Sequence, residues 1–474
     1  MTSKNIFFYV IIVLTICGGS AAAQNWPMVN LNKERTSWAA DETMLYPPLQ
    51  MTSKYRLKSA GTTHAFTLFN NVLAVSMSAT PNTLEMIDIT SSDTLWTFKV
   101  PESKSGMNFY CAQTGSMVIA GGQHGAGLYA LNKTTGAQIW SKPVGNCYGR
   151  HVIIDDDCAF VQTDSLYCLS LDDGSTLWAQ NIHFQGTPAV DELYVYTVGR
   201  YKTSIWDKAS GERVWQIPNS ERVMGGIAVD DQCFYTFSHD TVFAYYKQDR
   251  SIKWTYISSG DTLLVSGHNT FAVSDSHLCF IIEGNGIGQS ELVTLNKNDG
   301  EYLWSHAFTG QWLYTPTIAN GMVYIVSLFG ELFGFNIETG TLEFSDDYYA
   351  YYGQPIVVNH KLYVGTDYRI IVFENAETKV EHSKSVPHRP KLMQNFPNPF
   401  NPVTTIKYTL SHQEHVKLAV YDIRGNEIKT LVDETIPAGM HCLEFNASHL
   451  PSGVYVYRLA AGSFAKNRKL VLVR

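Results

Sequence analysis

The sequence has no adjacent cysteines and no Cys-x-x-Cys, although it holds eight cysteines in 474 residues. The zinc-ribbon and thioredoxin-like redox motifs are therefore missing. It also has no Gly-x-Ser-x-Gly, no Walker loop and no glycine-rich turn in a βαβ setting, so hydrolase and nucleotide-binding chemistry lose their local signatures. Beyond the first residues, no stretch approaches the ~18 apolar residues of a membrane helix. Positive charge is scarce as well. The 35 Lys and Arg stand against 43 Asp and Glu, a net charge of −8 with no basic stripe. That balance argues against nucleic acid and anionic membrane as partners, since both attract basic surfaces.

What is present begins with a leader. Lys4 supplies positive charge, Ile6 to Ile16 form an apolar core, Gly18-Gly19-Ser20 break it, and Ala21-Ala22-Ala23 offer a small-x-small cleavage site. This order predicts a signal peptide over residues 1–23, with no membrane span left after its removal. A lipoprotein reading would acylate Cys17, but Ile16 stands where a small residue is expected. The mature chain of 451 residues (474 minus 23) exceeds one ordinary domain unless a repeat absorbs the length. Export permits disulfides. Yet Cys158, Cys233 and Cys279 each replace an apolar residue just inside a strand at a similar repeat position, which reads as small buried thiols.

The repeat is marked by Trp96, Trp140, Trp178, Trp215, Trp254 and Trp304, at intervals of 44, 38, 37, 39 and 50, with Phe344 another 40 residues on. Four residues before the aromatic stand Gly136, Gly174, Gly211, Gly300 and Gly340, with Ser92 and Arg250 as exceptions. Upstream lie an alternating strand (Leu128-Tyr129-Ala130-Leu131) and a β-rich run (Gly321-Met322-Val323-Tyr324). Each unit reads as four short strands per ~40 residues, which is one propeller blade. The glycine suits a hairpin turn that needs φ > 0. Seven units end at the marked aromatics and an eighth runs from Tyr351 to Phe373 without a terminal aromatic. Met51 to Lys58 is a strand without a blade. Pairing the two removes an exposed edge, so the first strand is expected to complete the last blade.

Residues Leu128 to Trp140 (LYALNKTTGAQIW) and Asn25 to Thr36 (NWPMVNLNKERT) resemble the quinoprotein-like repeat family. That family includes pyrroloquinoline-quinone alcohol dehydrogenases and a non-enzymatic lipoprotein of outer-membrane protein assembly. The resemblance implies a propeller in which each Trp docks between neighbouring blades. After a polar linker, Asn395 to Pro402 (NFPNPFNP), Val420-Tyr421-Asp422, Leu450 to Tyr455 (LPSGVY) and the basic end Lys466 to Arg474 resemble the type A sorting domain of the type IX secretion system. That resemblance implies recognition by an outer-membrane translocon. The expected fold is all-β: an eight-bladed β-propeller over residues 24–380, a linker over 381–391, and a small Ig-like β-sandwich over 392–474.

A catalytic set does not emerge. The family's dehydrogenases carry adjacent cysteines and a calcium ion. This chain has no Cys-Cys and no matching ligand set, so no cofactor and no metal are expected. Asp155-Asp156-Asp157 lacks the Gly and distal Glu of an EF-hand. His412-Gln413-Glu414-His415 lacks the i, i+4 spacing of a zinc helix. The remaining candidate is the propeller mouth, where His64, Tyr110, Arg150, His151, Gln185, Arg222, His268, Trp312, Tyr314, Tyr352 and Gln354 begin the innermost strands or precede them. Such a lining suits a glycan or an acidic peptide. The expected function is a secreted or surface-displayed binding module; the alternative is an extracellular enzyme, a quinone-dependent dehydrogenase or a carbohydrate-active enzyme.

Overall fold

The computed structural model describes residues 28, 32, 34–376 and 391–473, except 60, 79–80, 102–108, 123–126, 145–151, 164, 183–186, 200–201, 219–225, 239, 259–270, 284–288, 310–312, 328–329, 348–350, 393–394, 396–397, 399, 411, 438 and 463. The signal peptide and residues 381–390 of the expected linker lie outside them. Every regular element among the described residues is a β-strand. The chain divides into two compact units, Met1–Glu377 and Thr378–Arg474.

Among the described residues the first unit contains eight sheets, antiparallel except for one added parallel strand. The first comprises Thr62–Phe69, Val72–Ser78, Thr83–Asp88 and Asp93–Lys99. The next six begin at Phe109–Gln113, Ile153–Asp155, Ala189–Val190, Ala228–Val229, Ala272–Val273 and Thr317–Ala319. The eighth contains Tyr351–Val358, Lys361–Thr366 and Arg369–Asn375. Middle strands are buried on both sides, as in Val72–Ser78, whereas the outer Asp93–Lys99 alternates between exposed and half-buried. That pattern is what sheets stacked face to face require, because a middle strand then meets a neighbouring sheet on each face. The inner strand of the first sheet lies against those of the second and the eighth, so the stack closes on itself.

Closure depends on the N-terminal strand. Leu49–Arg56 is the outermost strand of the eighth sheet, with Met51 opposite Phe373 and Tyr55 opposite Ile370. The sequence expectation of strand exchange between the ends is what the register displays. The imitation goes further. In each of the other sheets a bulge falls between the third and fourth strands, as at Gln138/Trp140. The borrowed strand has its own bulge at Met51/Ser53.

The tryptophans show why the repeat has its spacing. Trp96, Trp140, Trp178, Trp254 and Trp304 each donate Nε1–H to a carbonyl of the next sheet: Lys133 (2.8 Å), Leu171 (2.7 Å), Lys208 (3.0 Å), Lys297 (2.8 Å) and Ile337 (2.6 Å). Each carbonyl stands three residues before a turn glycine. Those glycines adopt φ of 66–76°, and a Cβ on any of them would meet the docked indole at 2.5–2.7 Å. The glycine is therefore required twice, by its backbone angle and by the ring above it. At the ring junction Tyr55 takes over this duty: its hydroxyl donates to Ile89 O (3.2 Å), three residues before Ser92. Trp215, whose neighbouring turn holds Arg250 instead of glycine, packs edge-on against Phe234 and Tyr245.

Among the described residues the second unit has two sheets. One contains Lys391–Leu392, Val403–Leu410 and Gly439–Asn446; the other contains Glu427–Ile436, Glu414–Tyr421, Gly453–Ala461 and Phe464–Leu472. Ile406 and Tyr408 from one sheet share a core with Leu418, Val420, Tyr457 and Leu470 from the other.

Candidate functional site

Described residues of the N-terminal segment line the inner strands of the first unit. Met28 forms a bridge with Ala112 in the second sheet. Glu34 O accepts from Val229 N (2.9 Å) in the fifth sheet, Thr36 O from Val273 N (2.7 Å) in the sixth, and Ser37 O from Ile318 N (2.9 Å) in the seventh. Trp38–Ala39 then runs parallel to Thr317–Ala319. Asn32 shapes this segment by accepting from Thr36 N (2.9 Å), which allows Arg35 its left-handed φ of 63°. Arg35 and Ser37 are 1% and 0% exposed. The segment then anchors through Glu42, whose buried carboxylate accepts from Met44 N, Leu45 N, His360 N and His360 Nδ1 at 2.7–3.0 Å. Burial pushes the Glu42 carboxyl up, and these bonds together outweigh it to leave it below the ordinary range.

Four of the mouth candidates have described side chains. Tyr314 and Tyr352 are half-buried and adjacent, at the start of the seventh and eighth sheets. Burial pushes the Tyr314 hydroxyl up to about 12, against a hydrogen bond to the Gly353 backbone. Gln354 joins them but is buried, donating Nε2–H to Ser37 Oγ and Thr317 Oγ1, each at 3.1 Å. It holds the N-terminal segment to the eighth sheet. Tyr110 is 4% exposed and packs with Ala65 of the first sheet, away from that group. The side chain of His64, and Arg150, His151, Gln185, Arg222, His268 and Trp312 entirely, lie outside the described residues.

The opposite end carries a charged network that the sequence reading missed. Asp191 accepts from the Tyr196 hydroxyl (2.7 Å) and pairs with Lys247 Nζ of the next sheet (2.8 Å). Asp230 repeats the arrangement with Tyr235 (2.7 Å) and Lys297 (3.0 Å). Asp155 pairs with Lys208 (2.8 Å), so the Asp155-Asp156-Asp157 run is a turn with an inter-sheet cation partner. These lysines sit three residues before the repeat's turn position, two of them using their carbonyls to seat a tryptophan. Burial pushes both Asp191 and Asp230 up. Lysine, tyrosine hydroxyl and backbone N–H groups together overcome that and hold both carboxyls below the usual range. A cavity of about 570 Å³ lies between Glu34–Trp38 and these pairs. Asp191 with Lys247 and Asp230 with Lys297, which line it, are engaged across sheet boundaries, so these pairs join sheets. A signal was available: Lys133, Lys208, Lys247 and Lys297 recur at one repeat position, and Asp191 and Asp230, at another, are each followed five residues on by Tyr.

In the second unit the motif residues act locally. Asn395 Nδ2 donates to Thr404 Oγ1 (2.9 Å), Asn398 Oδ1 accepts from Val471 N (2.7 Å), and the Tyr455 hydroxyl donates to Pro451 O (2.7 Å). Asp422 Oδ1 accepts from Arg424 N and Asn426 N, closing a tight turn. The His412–Glu414 contact (3.1 Å) is an exposed pair.

Comparison with known proteins agrees with both units. The family described as the secretion system C-terminal sorting domain matches residues 394–473. The family described as outer membrane protein assembly factor BamB matches residues 80–181 and 162–287. The chain is 24% identical over 273 residues to the outer membrane protein assembly factor BamB of Shewanella oneidensis, covering 52% of this chain and 66% of that protein, just under two thirds of its length. Among solved structures it is similar to BamB from Moraxella catarrhalis (17% identity, 69% of this chain and 99% of that one, TM-score 0.55). It is also similar to the quinohemoprotein alcohol dehydrogenase of Comamonas testosteroni (11% identity, 77% and 83%, TM-score 0.62). The chain carries a β-propeller with repeats of the PQQ type, followed by a C-terminal sorting domain of the kind that directs export by type IX secretion to the cell surface or beyond.

Proposed function

We propose that the mature chain is a secreted or surface-displayed binding module. Its eight sheets act as eight blades, its second unit as an Ig-like sandwich read by the outer-membrane translocon, and its leader is removed on the way through the periplasm. The observation that carries this reading is the pairing of a BamB-type ring with a sorting domain at residues 394–473 in one chain. The ligand site is the mouth from which the inner strands start. Tyr314 and Tyr352 supply aromatic surface there. Arg150, His151, Arg222 and His268 supply hydrogen-bond donors for a glycan or an acidic peptide. The likeness to dehydrogenases is one of fold, and fold carries no chemistry by itself.

Glycan and peptide arrays probed with the mature chain test this. Binding that Tyr314→Ala and Tyr352→Ala reduce together by tenfold or more is expected. Arrays that show no ligand, or binding indifferent to both changes, would overturn the mouth assignment.

A further inference from the structure

Cys158 and Cys168 lie on neighbouring strands of the third sheet, Cys158–Gln162 and Ser165–Ser170. In the register Cys158 stands opposite Ser170 and Phe160 opposite Cys168. Directly opposed residues share a face, and so do residues two apart along a strand. Both thiols therefore project from one face as diagonal neighbours. Two of the other described cysteines have different partners. Cys111 Sγ donates to Ala74 O, and Cys279 shares a hydrogen bond with Thr294. Cys168 is 1% exposed and Cys158 is half-buried against the same core, so Cys158 is the more accessible of the pair.

We propose that Cys158 and Cys168 form a reversible cross-strand disulfide in the exported protein, with a small-molecule or enzyme disulfide as the oxidant. The more accessible Cys158, as its thiolate, attacks the incoming disulfide, forming a mixed disulfide and releasing one thiolate. Cys168 loses its proton to solvent, its sulfur attacks Cys158 Sγ, and the second oxidant thiol leaves. Two protein thiols are oxidised by two electrons, and one disulfide is reduced to two thiols. Burial pushes the Cys168 thiol up and the Cys158 sulfur adds to this, with the Lys208 ammonium opposing both. That order suits Cys168 to the resolving step and leaves the first attack to Cys158. Diagonal neighbours stand about 7–8 Å apart at Cα, and disulfides favour about 4.4–6.8 Å. Closure therefore draws the strands together, and the strain makes the bond easily reduced.

The test uses the mature, folded chain, reduced and then exposed to oxidised glutathione, quenched with acid, alkylated and digested with a protease that cuts before Asp164, between the two cysteines. The expected major product is a linked pair of peptides carrying Cys158 and Cys168 that dithiothreitol separates. Cys168→Ser should instead trap glutathione on Cys158. Wild-type protein in which both cysteines alkylate would overturn the proposal. So would Cys158 holding glutathione while Cys168 stays free, or linkage of Cys158 to another cysteine. The wild-type digest decides the matter even if the variant does not fold.

Discussion

Gly211→Ala and Gly321→Ala place the same methyl group at nearly the same backbone angle, φ of 71° in both, within the same ring. Their surroundings differ. A Cβ at Gly211 would stand 2.5 Å from the Trp178 ring, whereas nothing lies within 4 Å of one at Gly321. Left-handed backbone costs an alanine about 1–2 kcal/mol, and Gly321→Ala should lose about that much. Gly211→Ala pays the same strain and also lifts the indole. That forfeits the bond from Trp178 Nε1 to Lys208 O at 3.0 Å, about 0.5–1.5 kcal/mol, and loosens the packing of a half-buried ring. The expected total is about 2–4 kcal/mol. Urea unfolding followed by tryptophan fluorescence measures both variants, and Gly211→Ala should also shift the native emission to the red. Equal losses in the two variants would refute the claim that the neighbouring indole, and not the turn alone, demands glycine.

Three further outcomes follow from the same contacts. Tyr55→Phe removes the hydroxyl that reaches Ile89 O and should cost about 0.5–1.5 kcal/mol in the same titration. Removing residues 24–58 takes away the closing strand; a lower melting temperature and oligomers by light scattering are expected, because the eighth sheet then has an open edge. Asp191 and Asp230 both have folded-state pKa values below their ordinary ones. Their contribution is therefore complete above the unfolded-state pKa of about 3.9 and lost as pH falls through the lower native values. Melting temperature should drop below about pH 4, and Lys297→Met should lower it at neutral pH while flattening the acid decline. Parallel curves for wild type and variant would contradict this.

Much of the ring could be read from the chain because its constraints are local and repeated. A Trp every ~40 residues and a glycine four positions earlier are visible without coordinates. So was the mismatch between an incomplete last unit and an orphan first strand. What escaped were contacts between units. The spacing marks Gly136 as a turn residue, but its second duty is to Trp96 in the previous unit, 40 residues away. The Lys–Asp–Tyr pairs join positions 53 to 67 residues apart, such as Asp155 with Lys208 and Asp230 with Lys297, and alternation along a strand carries no trace of them. Gln354, a mouth candidate by its place near the start of an inner strand, is buried and bound to the N-terminal segment. Its partner Ser37 is 317 residues away, a pairing no local pattern announces.

The central claim is that the ring travels on the authority of the unit behind it. Deleting residues 392–474 and following the remaining chain by cell fractionation tests this most directly. The full chain should reach the surface or the medium, and the truncated chain should accumulate folded in the periplasm, with its melting transition intact. Truncated protein appearing outside the cell at the level of the full chain would contradict the account.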